Sequence, residues 1–189
     1  MRRSFVLTIA VALTAVGCGG GVEGGVEAEV WVRSVCTTLS DWNGELQNRT
    51  ADLQTEIQGL PQGDFDGLKG LMLGYVDGVI EDTEGAVSSL EEAGAPDVED
   101  GEEAAELMVS GIREARSIFV DARSDIEELD PDRPRRFGMA LQVIGAQVQQ
   151  GGERVQAAFE AADERGVGGE ELDEAFAEEP ACAALATVP

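Results

Sequence analysis

Apolar residues recur at helical spacing along almost the whole chain. From about Glu27 to Gly59, Val32, Leu39, Leu46, Leu53 and Leu60 fall at steps of seven with Val35, Trp42 and Ile57 between them, which places them on one face of a single long helix. The stretch "LPQGD" at 60–64 breaks that helix, and Asp64 is placed to cap the next. Met72, Val76, Val79, Thr83, Ala86, Leu90 and Ala93 then alternate by four and three. "AGAPD" at 93–97 ends the second stripe, and Asp97, with Asp100 three residues on, is the expected N-cap of a third. That stripe runs Ala105, Met108, Ile112, Ala115, Phe119, Ala122, Ile126 and Leu129.

"DPDRP" at 130–134 supplies another break and a helix start, after which Phe137, Leu141, Ile144, Val148, Val155, Ala158 and Ala162 form the fourth stripe. "RGVGG" at 165–169 opens a tail in which Leu172, Ala175 and Phe176 predict a short amphipathic helix, Pro180 a break, and "ACAALA" one or two last turns. No alternating pattern of strand length occurs. Connections of only a few residues force consecutive long helices to run antiparallel. The predicted fold is therefore all-α, an up-down-up-down four-helix bundle of long helices with a short helical C-terminal tail. The fourth helix then finishes where the first begins, so the tail returns to the first turns of helix one, and Cys182 is expected near Cys36.

Composition narrows the chemistry. At 189 residues with 43% hydrophobic content, the chain is long enough for one proper core, and with aromatics at 5% that core must be built from Val, Leu, Ile and Ala. Acidic residues number 38 against 13 basic ones, for a net charge of −25. A surface of that sign repels phosphate, so nucleic acid is not an expected partner. Histidine is absent, which excludes histidine-based nucleophilic triads and histidine-ligated zinc. Carboxylates remain, but "DVEDGEE" at 97–103 lacks the residue order of an EF-hand loop and lies where a helix start favours acids. No metal, no cofactor and no catalytic residue is expected, and the chain is read as a non-enzyme.

Other features invite a contact role. Gly70, Gly74 and Gly78 lie four apart, a row familiar from close helix contacts, and project away from the stripe of Met72, Val76 and Val79. They form the expected partner face, against the simpler reading that this face tolerates glycine. Gly138, Gly145 and Gly152 recur every seven at the edge of the fourth stripe, where close packing accounts for them. Arg133, Arg135 and Arg136 make the one basic cluster of the mature chain, either docking an acidic partner or neutralising nearby acid. "NRT" at Asn48 matches a glycosylation sequon and, on a helix, reads as accidental.

The N-terminus supplies an address. Arg2 and Arg3 precede an apolar run from Phe5 to Val16, with small Gly17 directly before Cys18. This is the pattern of a signal peptide, and the run is shorter than the roughly 20 residues a bilayer-spanning helix needs. "Ala15-Val16-Gly17-Cys18" resembles the lipobox of bacterial lipoproteins, although Ala15 stands where leucine is most common. That resemblance implies diacylglycerol on the Cys18 thiol, cleavage before it and acylation of the new N-terminus. An ordinary secretory signal cut near Gly17 is the alternative. The "RRSFVL" stretch at 2–7 is also similar to a twin-arginine export signal, but lacks a downstream lysine.

The expected organisation is thus a leader over residues 1–17, a glycine-rich tether over 18–26 and the bundle over 27–189. With Cys18 lipidated, the remaining cysteines of the three, Cys36 and Cys182, are left to pair in an oxidising compartment; two unpaired buried thiols are the alternative.

Two looser likenesses complete the reading. Trp42 and Gly44 make a W-x-G triplet similar to that of small helical-hairpin secretion substrates, where it forms a turn; here the stripe continues through it, so Trp42 reads as core. Together, "VCTTLSDW" (35–42), "GAPDVEDG" (94–101) and "FAEEPACAAL" (176–185) resemble uncharacterised small secreted or lipid-anchored helical proteins of actinobacteria. The resemblance implies an all-helical extracytoplasmic domain, held at the cell membrane by its N-terminal lipid, and transfers no activity. The functional expectation is an interaction or accessory module for an envelope protein partner. The alternative is an extracytoplasmic binding protein for a small ligand or cation.

Overall fold

In the structure, a computed structural model describing residues 24–164 and 166–185, the predicted helices form in the predicted order. They are α1 (Ala28–Gly59), α2 (Phe65–Ala93), α3 (Gly101–Glu127), α4 (Pro134–Glu164), α5 (Gly169–Glu178) and α6 (Pro180–Leu185). Asp64 caps α2 as expected, its carboxylate accepting from the Gly67 amide at 2.8 Å. Pro134 opens α4, where its fixed φ and missing N–H cost nothing. No helix among the described residues is long and apolar enough to cross a membrane.

The start of α3 differs from the sequence reading. Asp97 is not its cap: the Asp97 amide donates to the Val26 carbonyl at 2.7 Å, and the Val26 amide donates to the Ala95 carbonyl at 2.9 Å, forming a short parallel bridge. The helix begins three residues later than the Asp97 cap implies, after Asp100, which takes a left-handed conformation with φ 56° and no side-chain capping bond. Gly101 follows because a Cβ there would collide with the Pro96 carbonyl. Gly25 and Val26, expected as the end of the glycine-rich segment, are held against the α2–α3 turn by this bridge.

Cross-helix contacts give the antiparallel register directly. Trp42 of α1 meets Thr83 of α2, and Thr50 meets Tyr75 further along. From α2 to α3, Glu91 pairs with Arg113, Glu84 with Arg116, and Asp77 with Arg123. The interior divides into two clusters. At the end where α1 begins, Trp31, Val32 and Val35 pack with Leu90 of α2, Ile112 of α3 and Leu172 of α5. At the opposite end, Val76, Ile126, Leu129, Phe137 and Ile144 join α2, α3 and α4, and the Phe65 and Phe137 rings meet edge to face with centroids 5.4 Å apart.

The bundle is open along one seam. α4 packs on α3, while the free flank of α1 is taken near its start by α5 and α6. Further along α1, among the described residues, no helix supplies that cover, and Leu46, Leu53 and Ile57, expected as core, are half-buried or exposed and join neither cluster. The same seam explains Gly138 and Gly145: both are exposed, and a Cβ at either would meet nothing within 4 Å, so close packing is not their role. The side chains of Val155, Ala158 and Ala162, and the burial of Gly152, lie outside what the structure describes.

Candidate functional site

The end where α1 begins is the best-fastened part of the molecule. Cys36 and Cys182 are joined by a disulfide with Cα atoms 5.0 Å apart, linking α6 to the third turn of α1. Beside it, Arg33 donates to the Glu179 carboxylate at 3.1 Å. Trp31 is buried and its indole N–H donates to the Gly94 carbonyl at 2.9 Å, while its ring meets Phe176 edge to face with centroids 6.2 Å apart. Four chain segments therefore converge within two turns of helix. Met1 to Glu23, and with them the expected leader and the lipidation candidate Cys18, lie outside the described residues.

At this end lies an acidic hollow of about 530 Å³, lined by Glu27, Glu29, Asp97, Glu171, Glu174 and Glu178. Among the described residues no group of three carboxylates or thiols stands close enough to hold a metal ion. Calcium added at constant ionic strength tests the cation-binding alternative: an unchanged melting temperature removes it, and a rise of more than about 2 °C, equivalent to roughly 1 kcal/mol of specific binding in a domain of this size, supports it.

The glycine row of α2 is split. Gly70 and Gly74 are exposed, and a Cβ at either meets nothing within 4 Å. Gly78 is buried, and a Cβ there would collide with the Arg49 guanidinium. Arg49 crosses from α1 over Gly78 to make a two-pronged pair with Asp82, and this hydrogen bond holds the guanidinium pKa above its ordinary value despite partial desolvation. Gly78 thus serves the α1–α2 interface, and only Gly70 and Gly74 present an open backbone face. Gly70→Ala and Gly74→Ala are each expected to stabilise by about 1 kcal/mol through helix propensity. Gly78→Ala should show no such gain in a urea titration, since the methyl group displaces Arg49.

The far end, where α2 starts and α3 meets α4, carries the basic cluster. Lys69 donates from Nζ to the Glu127 and Leu129 carbonyls, each at 2.8 Å, satisfying the C-terminus of α3. Arg133 pairs with Asp130 at 3.0 Å. Arg135 and Arg136, in the first turn of α4, are exposed and have no carboxylate partner among the described residues. Sequence reasoning treated the three arginines alike; the structure separates one neutralised side chain from two free ones.

Trp42 lies within an unbroken α1, half-buried, and its indole N–H donates to Thr83 Oγ1 at 3.0 Å. The W-x-G triplet therefore forms no turn. Thr83 is fully buried and its hydroxyl in turn donates to the Val79 carbonyl, so the polar pair is internally satisfied. Comparison of the chain with known protein families, with characterised proteins and with solved structures finds no match.

Proposed function

We propose that this protein is a lipid-anchored, extracytoplasmic helical bundle that acts without catalysis as an interaction or accessory module at the cell envelope. The observation carrying this reading is the Cys36–Cys182 bond. A disulfide that closes the domain fits an oxidising compartment, and it leaves Cys18 as the remaining cysteine of the three, directly after a leader-like run. The glycines between Cys18 and Gly24 supply the slack that separates a lipid from a folded body. The open backbone at Gly70 and Gly74 supports a contact role, because glycine in a helix costs stability and the fold itself gains nothing from these two.

Fractionation tests the address. Wild type is expected in the membrane fraction, extractable by detergent and not by high salt, with Cys18→Ser moving to the soluble exported fraction. Equal partition of the two proteins contradicts the anchor. The contact role is tested by Gly74→Trp, which is expected to keep the melting temperature within a few degrees while losing an envelope complex seen with wild type after cross-linking in cells.

A further inference from the structure

We infer that the outward face of the first half of α4 docks an acidic segment of a partner protein, Arg135 and Arg136 binding its carboxylates and Met139 and Val143 its apolar side chains; this rests on the interaction-module reading. In a chain with 38 acidic residues, every other arginine whose side chain is described has a carboxylate partner: Arg33, Arg49, Arg113, Arg116, Arg123 and Arg133. Among the described residues Arg135 and Arg136 have none. They also occupy the first turn of α4, which holds no acidic residue, so their charges add to the positive end of the helix dipole. Such placement costs roughly 0.3–1 kcal/mol per charge, and among the described residues no ion pair offsets it. A local rule broken without structural gain marks a functional position.

The surroundings extend the pattern. From Arg133 to Gly152 no acidic residue occurs, the longest such run after the leader. Met139 and Val143 are 61% and 58% exposed, the highest values among the large hydrophobic residues described as exposed. With 100° per residue, Arg135, Met139 and Val143 point away from Phe137, Leu141 and Ile144, and Arg136 flanks them. The result is a ridge with two cations at one end and two apolar side chains beside them. Guanidinium groups grip carboxylates in two-pronged fashion, which favours an acidic peptide segment carrying apolar residues.

Two other occupants fit less well. A membrane rich in anionic lipid is repelled by the rest of this surface, and two apolar side chains embed little. A second copy presenting the same ridge about a two-fold axis would offer the arginines no carboxylate, since residues 133–152 contain none.

The test uses the full-length protein in intact cells, with the photoreactive residue benzoylphenylalanine at position 139 or, separately, at position 74. The expected adduct from position 139 maps by mass spectrometry to an acid-rich segment of another protein, and its yield falls at least tenfold in R135E/R136E. That variant is expected to melt no lower than wild type, because acids suit a helix N-terminus, and to keep the Cys36–Cys182 bond. An adduct from position 139 with lipid, with a second copy, or indifferent to charge reversal overturns the inference. So does an adduct from position 74 alone, which leaves the interaction module standing. No adduct from either position overturns both.

Discussion

Replacing Cys36 and Cys182 together by serine is expected to lower the unfolding free energy by about 4–5 kcal/mol, the largest effect of any change that leaves the helices' sequences otherwise intact. The two cysteines are 146 residues apart, so the bond removes much of the freedom of the unfolded chain. Native domains have roughly 5–15 kcal/mol in hand, so such a loss brings the molecule near its limit at growth temperature. The bond is also what holds α6 to α1, with the Arg33–Glu179 pair as the neighbouring support, and an exposed pair of that kind adds little. Unfolding of the double variant is thus expected to begin in α5 and α6. Their amides should lose protection from hydrogen exchange before those around Phe137 do. A urea midpoint shift equivalent to less than about 1 kcal/mol would show that the tail holds its place without the covalent link.

Trp31→Ala is expected to cost about 3–5 kcal/mol, as for other fully buried large aromatics. Trp31 fills the junction where α1, the α2–α3 turn and α5 meet, and its indole N–H binds the Gly94 carbonyl just before the bridged segment. The truncated variant should lose tertiary order at this end and expose the disulfide to mild reductant, a rate measured by thiol labelling. Trp31→Phe separates the two contributions: it retains most of the volume and loses the hydrogen bond, an expected cost of about 1–2 kcal/mol. Equal losses in both variants would place the indole N–H, and not packing, in control of the junction.

These two positions also show how far periodicity reaches. The stripes of α2 and α3 were legible because each of these helices has neighbours along its whole length: Val76, Val79, Thr83, Ala86 and Leu90, and then Ile112, Ala115, Ala122 and Ile126, are buried as their spacing predicts. Trp31 was not, because burial at the start of α1 runs through Ala28, Trp31, Val32, Val35 and Cys36, wider than any single seven-residue stripe. That width comes from α5, α6 and the turn at Pro96, which periodicity within α1 cannot report. Leu46 and Leu53 fail in the opposite sense: their spacing matches a bundle seam, but among the described residues no side chain of α4 joins them in a buried cluster.

The covalent feature was the most legible. Short connections fix antiparallel order, antiparallel order returns the tail to its origin, and Cys36 meets Cys182. The glycine row was half legible, since spacing along α2 does not disclose that Arg49 reaches over Gly78 from another helix. The free arginines needed the structure for a similar reason: Arg133, Arg135 and Arg136 look alike in sequence, and only the turn geometry gives the first of them Asp130.

Cys18 is tested most directly by the intact mass of the native protein extracted from cells, taken with alkylating agent before and after reduction. The expected polypeptide begins at Cys18, carries a diacylglycerol thioether and an N-terminal acyl chain, and alkylates only after reduction, and then only at Cys36 and Cys182. A polypeptide beginning at Met1 with all three of its thiols alkylated before reduction contradicts both the lipid anchor and the exported, disulfide-closed bundle.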